Sequence, residues 1–334
     1  MLSDRRQRVL AALIEEYVEC ALPVGSCTLT EHYDLGVSPA TVRNELSVLE
    51  DEGYISQPHT SAGRVPTDHG YRAFVDRLIE SGVTDQVSPQ GRDAVEKLRA
   101  SATELDDLME QTSQALSRLT DCLSIVIGPT TASKTIKQIT LISLDERRAV
   151  LVVVTKDGTV MNRQIEFDRP VDPSTLADVQ KTLNRVLSGH AAIDAFSIES
   201  ATELGQDTVM RKVIDELTDC LKDNDRTSMH RLGMGTLMRK PEFKHSTSLI
   251  PIMQVLDDHT LLLHMLETDA SGGTPTVRIG AENSSEQLSG VSVVASRYGS
   301  GDSAGVVAVI GPTRMDYSRA LKAVRIASEA LGED

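Results

Sequence analysis

Gly36-Val37-Ser38-Pro39-Ala40-Thr41-Val42-Arg43-Asn44-Glu45-Leu46-Ser47-Val48-Leu49-Glu50-Asp51-Glu52-Gly53 is the stretch on which the reading turns. Ser38 then Pro39 is an N-cap ahead of a proline at the first helical position, and Gly53 stops the helix at about Glu52. With Val42 facing inward, a period of about 3.6 residues puts Leu46 and Leu49 on the same side. Ala40, Arg43, Asn44 and Ser47 then share the opposite, solvent-facing side.

Working outward, Val9, Leu10, Leu13, Ile14, Tyr17 and Val18 recur at helical spacing from Asp4 to Cys20, with Ser3 or Asp4 as N-cap. Ala21 to Gly25 breaks that helix, and Ser26 caps a short one over Cys27 to Tyr33. Downstream, Tyr54 to Gln57 and Arg64 to Pro66 read as short strands around Pro58-His59-Thr60-Ser61-Ala62-Gly63. Three helices and a hairpin in this order make a winged helix-turn-helix over residues 1–80. Asp68 opens a further helix through Ile79, and residues 82–91 read as a linker.

The outward side of the third helix suits a major groove. Arginine grips guanine O6 and N7 in two bonds, asparagine does the same for adenine N6 and N7, and the Ala40 methyl matches thymine. Ser38 and Thr41 sit at the helix N-terminus, where free N–H groups and hydroxyls favour phosphate. The wing adds His59, Thr60, Ser61 and Arg64 beside small residues, a composition fit for the DNA backbone or a narrow minor groove. Glu50, Asp51 and Glu52 oppose the helix dipole in the last turn, which suggests a role in rejecting poor DNA sites. A winged helix also serves as a protein-interaction module, and an exposed Arg-Asn pair is often only a solvated face.

Bulk charge argues the other way. The chain of 334 residues carries a net charge of −15, and residues 1–80 hold seven Arg and no Lys against thirteen Asp and Glu, a net of −6. Affinity for random DNA rests on phosphate neutralisation, so placement of the few cations must do what bulk charge cannot. Aromatic residues make up 3% of the chain with no Trp, which disfavours stacking platforms for single strands and leaves an aliphatic core. Cys20, Cys27, Cys122 and Cys220 stand far apart, outside any metal spacing, and read as reduced thiols. The first helix carries Glu15, Glu16 and Glu19, unlike a signal peptide, and no apolar run reaches a membrane span, so a cytoplasmic location is expected.

Beyond the linker, Leu98, Leu105, Leu108, Thr112, Ala115, Leu119 and Cys122 approximate a heptad seam over residues 92–123, widened by Leu116 and Leu123. This predicts one long amphipathic helix, lying either on its own domain or against a second copy. A meander follows at Ile136 to Leu144, Ala149 to Thr155 and Thr159 to Phe167, then helices over Pro173 to Leu187 and Glu203 to Lys222. Strand-like segments are expected at Ser248 to Leu256, Thr260 to Leu266, Thr276 to Gly280, Val291 to Ser296 and Gly305 to Ile310, with a last helix from Tyr317 to Leu331. The fold class is therefore α+β and multidomain.

Several blocks resemble the heat-inducible transcription repressor family, HrcA. They are Pro23 to Ser26, Gly36 to Asn44, Leu49 to Ile55 and Gln57 to Thr67, with Ile279-Gly280-Ala281-Glu282-Asn283 and Gly311 to Arg319 near the other end. The resemblance implies a dimeric repressor of chaperone operons that binds inverted-repeat double-stranded operator DNA, is assisted by the chaperonin GroE and is inactivated by heat. It also implies a GAF-like antiparallel sheet domain, placed at residues 81–132 and 246–334, with an α+β dimerisation domain inserted at 133–245. No catalytic residue, metal or cofactor is expected.

Two rivals come from elsewhere. One is a winged-helix repressor whose GAF-like body answers to a metabolite. The other is a serine hydrolase, because Gly301-Asp302-Ser303-Ala304-Gly305 matches G-x-S-x-G. That motif needs a strand before it and a helix after it, and an apolar strand is expected to follow instead. His190, His230, His245, His259 and His264 show no metal-ligand spacing.

Overall fold

In the computed structural model the described residues are 2–59, 62–82, 89–102, 105–129, 134–156, 158–192, 194–195, 208–227, 229–243, 246–257, 266, 274–283, 288–299 and 304–332. They form two compact units, one of residues 1–126, 231–298 and 306–334, the other of 127–230 and 299–305. The chain passes between them near 127, 231, 299 and 306.

The first unit starts with α1 (Asp4–Cys20), α2 (Ser26–His32) and α3 (Pro39–Asp51). Strands β1 (Ile55–Ser56) and β2 (Val65–Pro66) pair antiparallel, and α4 (Asp68–Glu80) follows. We call residues 2–82 the head. Local chemistry sets its boundaries. The Ser3 hydroxyl caps α1, the Ser38 hydroxyl caps α3 and the Thr67 hydroxyl caps α4, each accepting a backbone N–H of the first turn. At α2 the N-cap is Gly25, with no side-chain bond, and Ser26 is the first helical residue.

The same unit holds a five-stranded sheet in the order β7-β3-β10-β9-β8. Its strands are β3 (Leu123–Ile127), β7 (Met229–Leu232), β8 (Thr276–Ile279), β9 (Val291–Tyr298) and β10 (Gly305–Pro312). Helix α11 (Tyr317–Leu331) packs on β9 and against α5 (Pro89–Ser101) and α6 (Leu105–Thr120). The head and this layer share one apolar core that runs from Val9, Leu13 and Leu46 through Tyr71 and Val75 to Tyr317, Leu321 and Val324.

The expected single helix over 92–123 is two helices and the start of a strand. Asp121, at φ 52°, ends α6, and the wholly buried run Leu123 to Ile127 becomes β3. The helical period ran on because Cys122 and Leu123 fit it by chance. Helix α6 buries Met109, Thr112 and Leu116 inside its own unit, so the intramolecular reading holds for that face. The expected strand at Ser248 to Leu256 is instead helix α10 (Ser246–Asp257), in which Ile252, Val255 and Leu256 fall at helical spacing and are buried. Residues 260–265, expected as strand, lie outside the described residues. Short helix α9 (Met234–Arg239) and β7 were not anticipated.

The second unit is a meander of β4 (Ile136–Ser143), β5 (Arg148–Thr155) and β6 (Val160–Glu166), in the order β4-β5-β6. Helix α7 (Pro173–Leu187) packs on β4 and α8 (Thr208–Thr227) on β6, enclosing Ile139, Leu151, Val153 and Ile165. The open edge of β4 is occupied by α7 side chains. Asn184 both accepts from the Ile139 N–H (2.8 Å) and donates to its carbonyl (2.6 Å), and Gln180 accepts from the Leu141 N–H (2.7 Å).

Candidate nucleic-acid interface

Helix α3 turns as its period requires. Val42, Leu46 and Leu49 are at most 1% exposed, whereas Ala40, Arg43, Asn44 and Ser47 all face solvent. Ser38 and Thr41 are partly engaged in the cap, with the two hydroxyls 3.0 Å apart and the Thr41 N–H donating to Ser38 Oγ at 3.3 Å. Ser47 donates to the Arg43 carbonyl at 3.2 Å. The Arg43 guanidinium and the Asn44 amide have no partner among the described residues.

Three arginines near α3 are committed within the head. Arg6 pairs with Glu45 (3.1 Å) and Glu52 (3.4 Å), and Arg5 with Glu45 (3.5 Å). Arg64, expected at phosphate, grips Glu50 through Nε (3.0 Å) and its terminal nitrogen (2.9 Å). Glu50 in the last turn of α3 and Glu52 at its C-cap are therefore counter-ions of the β1–β2 hairpin and of α1 respectively. This gives them a structural role where rejection of poor sites was expected. The pairing joins residues far apart in sequence, and only the presence of Arg5 and Arg6 one helix away hinted at it.

The β1–β2 hairpin is pinned at its base. Val24 and Arg64 exchange both backbone hydrogen bonds at 2.9 Å, and Gln57 donates to the Ala62 carbonyl at 2.8 Å. Gly63 makes this approach possible, since a Cβ there would lie 2.6 Å from the Pro23 backbone. His59 is exposed and accepts a turn hydrogen bond from the Ala62 N–H at 2.8 Å. Thr60 and Ser61, expected wing contacts, lie outside the described residues. Near α3, His32 Nδ1 donates to the Glu16 carboxylate at 3.0 Å, and this hydrogen bond raises the imidazole above its ordinary value.

Gly301, Asp302 and Ser303 also fall outside the described residues, but β10 begins at Gly305 beside β9, so a strand stands where a nucleophile elbow needs a helix. Among the described residues no group of three His, Cys, Asp or Glu side chains is placed to hold a metal ion. No described helix is long and apolar enough to cross a membrane.

The profile described as HrcA protein C terminal domain matches residues 106–321. A heat-inducible transcription repressor HrcA of Streptomyces avermitilis is 40% identical, with 100% of this chain and 98% of that protein covered. The one from Nocardioides sp. is 39% identical, covering 97% and 96%. A crystal structure described as a hypothetical protein superposes with a TM-score of 0.67 at 24% identity, covering 99% and 98%, and shares the fold. The class is thus that of transcription repressors, and not of enzymes. The chain belongs to the heat-inducible transcription repressor family, HrcA.

Proposed function

We propose that the protein represses heat-shock chaperone operons by binding an inverted-repeat operator as a homodimer in the cytoplasm, with the chaperonin GroE assisting it and heat releasing it. The observation that carries the DNA reading is the α3 face, where Arg43 and Asn44 are exposed and uncommitted while neighbouring Arg5, Arg6 and Arg64 are paired. Such a face bears on how an acidic head reads DNA: the acids nearest α3, Glu45, Glu50 and Glu52, are answered by Arg5, Arg6 and Arg64, and Arg43 stays available.

On this reading the head is a winged helix-turn-helix. Ala40, Arg43, Asn44 and Ser47 meet base edges, Ser38 and Thr41 meet phosphate, and the wing residues His59, Thr60, Ser61 and Arg64 lie along the backbone. Arg64 reaches phosphate only by releasing Glu50. The five-stranded layer is GAF-like, and the second unit is the inserted dimerisation domain.

Its sheet supports that last assignment. On the face away from α7 and α8, three rows run Gln138, Val154, Val160; Thr140, Val152, Asn162; and Ile142, Val150, Gln164. None of the nine is charged, and Ile142 (49% exposed) and Val160 (60%) are uncovered. An uncharged face with an apolar centre of this kind suits a second copy of itself.

A footprint of the purified protein on the promoter of a chaperone operon tests the proposal, which requires two protected half-sites in inverted orientation. The metabolite-responsive alternative has one observation in its favour, a cleft of about 870 Å³ lined by Glu15, Glu19, Phe74, Leu119, Arg319 and Lys322. A small molecule that shifted both the melting temperature and operator affinity would favour it.

A further inference from the structure

None of the side chains proposed to meet DNA lies in the Ile279–Asn283 or Gly311–Arg319 block, yet the head rests on both. At the start of α4, Asp68 accepts the Ala281 N–H at 3.0 Å. One turn on, Arg72 Nε donates to Glu282 Oε1 at 2.7 Å, and a terminal nitrogen donates both to the same carboxylate and to the Val277 carbonyl. Gly280, at φ 50°, is needed for this approach, because a Cβ there would lie 2.1 Å from the Asp68 carboxylate. Asn283 ties the turn from beneath, its amide donating to the carbonyls of Gly280, Leu288 and Val291 at 2.8–3.1 Å. At the far side of the head, Arg314 donates to the Val18 carbonyl of α1 and pairs with Glu242 at 2.8 Å.

A head on a slack tether has no use for such a socket. Held at both α1 and α4, and sharing one core with the C-terminal layer, the head keeps a single attitude on that layer. We propose that Arg72, Glu282 and Arg314 are positioning residues that fix the angle at which α3 is presented, and that this angle sets the half-site spacing the dimer accepts. The inference rests on the operator and homodimer reading above. In a dimer the second head binds intramolecularly, so rigid mounting gives a high effective concentration at one spacing and a low one elsewhere. A loosened head spreads that concentration over many spacings.

The test uses full-length protein and the inverted repeat that the wild type protects in a footprint. Arg72→Gln and Glu282→Gln remove the forked ion pair and keep a polar group, Arg72→Lys retains one charged contact, and Arg314→Gln probes the second anchor independently. Each is titrated against the native repeat, the repeat with its half-sites roughly two base pairs further apart, and a single half-site. Circular dichroism melts identify the variants that are folded at the titration temperature. A wild-type preference for native spacing of about tenfold is expected to fall to about threefold or less in the folded Gln variants, with Arg72→Lys between. Affinity for the single half-site stays within about twofold of wild type.

Folded variants that keep the full spacing preference would overturn the proposal. So would a loss in equal proportion on single and paired half-sites, the sign of a generally weakened head. Failure of the wild type to bind any half-site is a different result, because it removes the repressor reading itself.

Discussion

Arg43 and Arg64 sit on neighbouring elements of the head and differ in what surrounds them. Arg43 has no partner among the described residues, while Arg64 is held by Glu50. Arg43→Ala is therefore expected to cost about 1–3 kcal/mol at the operator and to relax specificity at one base pair, measured by titration against single-base operator variants. Unchanged affinity across that panel would remove Arg43 from the interface. At Arg64 the informative substitution is on its partner. Glu50→Gln frees the guanidinium for phosphate, so binding is expected to tighten and the slope of log affinity against log salt to steepen by about 1. A slope equal to that of the wild type would make Arg64 an internal brace alone.

At the level of elements, the exposed face of the β4-β5-β6 sheet is what most needs a partner. Val152 stands at its centre, between Thr140 and Asn162. A carboxylate buried between two copies there has no counter-ion, so Val152→Asp is expected to weaken the dimer by about 2–4 kcal/mol, roughly thirtyfold to a thousandfold in dissociation constant. Sedimentation equilibrium reads this directly, and a wild-type protein already monomeric at micromolar concentration would dispose of the idea. Strand-edge pairing through β4 is a poor alternative, because Gln180 and Asn184 already bind that edge.

For the whole molecule, heat release has no local motif and falls on stability. We infer that the switch is marginal stability of the body or its dimer contact, motivated by a Trp-free aliphatic core and by the chaperonin assistance that the family reading implies. If dimerisation stabilises the fold, the melting temperature rises with protein concentration, and operator release on warming tracks the loss of dimer. Light scattering and operator anisotropy recorded on the same heating ramp test this. A purified dimer still bound to operator well above the temperature that triggers heat shock, without chaperonin, would place the sensor elsewhere. Acid acts at a separate point. Burial pushes the Glu282 carboxyl up, but the Arg72 guanidinium and the Ile279 N–H hold it below the ordinary range. The Arg72–Glu282 tie therefore contributes fully at neutral pH and is lost only as pH falls through that lowered value.

What could be read from the chain alone was local. Ser38-Pro39 and the period of Val42, Leu46 and Leu49 sufficed to place α3 and its outward side chains, because caps and periodicity act over a few residues. The α+β class, the meander and the final helix were legible for the same reason. Strand β3 and helix α10 were not, because short apolar runs fit either period until neighbouring elements choose between them. The tertiary structure alone decided that Arg64 answers Glu50, and that Arg72 answers Glu282 from 210 residues away. Ion pairs and shared cores depend on which elements the fold brings together, and no spacing along the chain encodes that meeting.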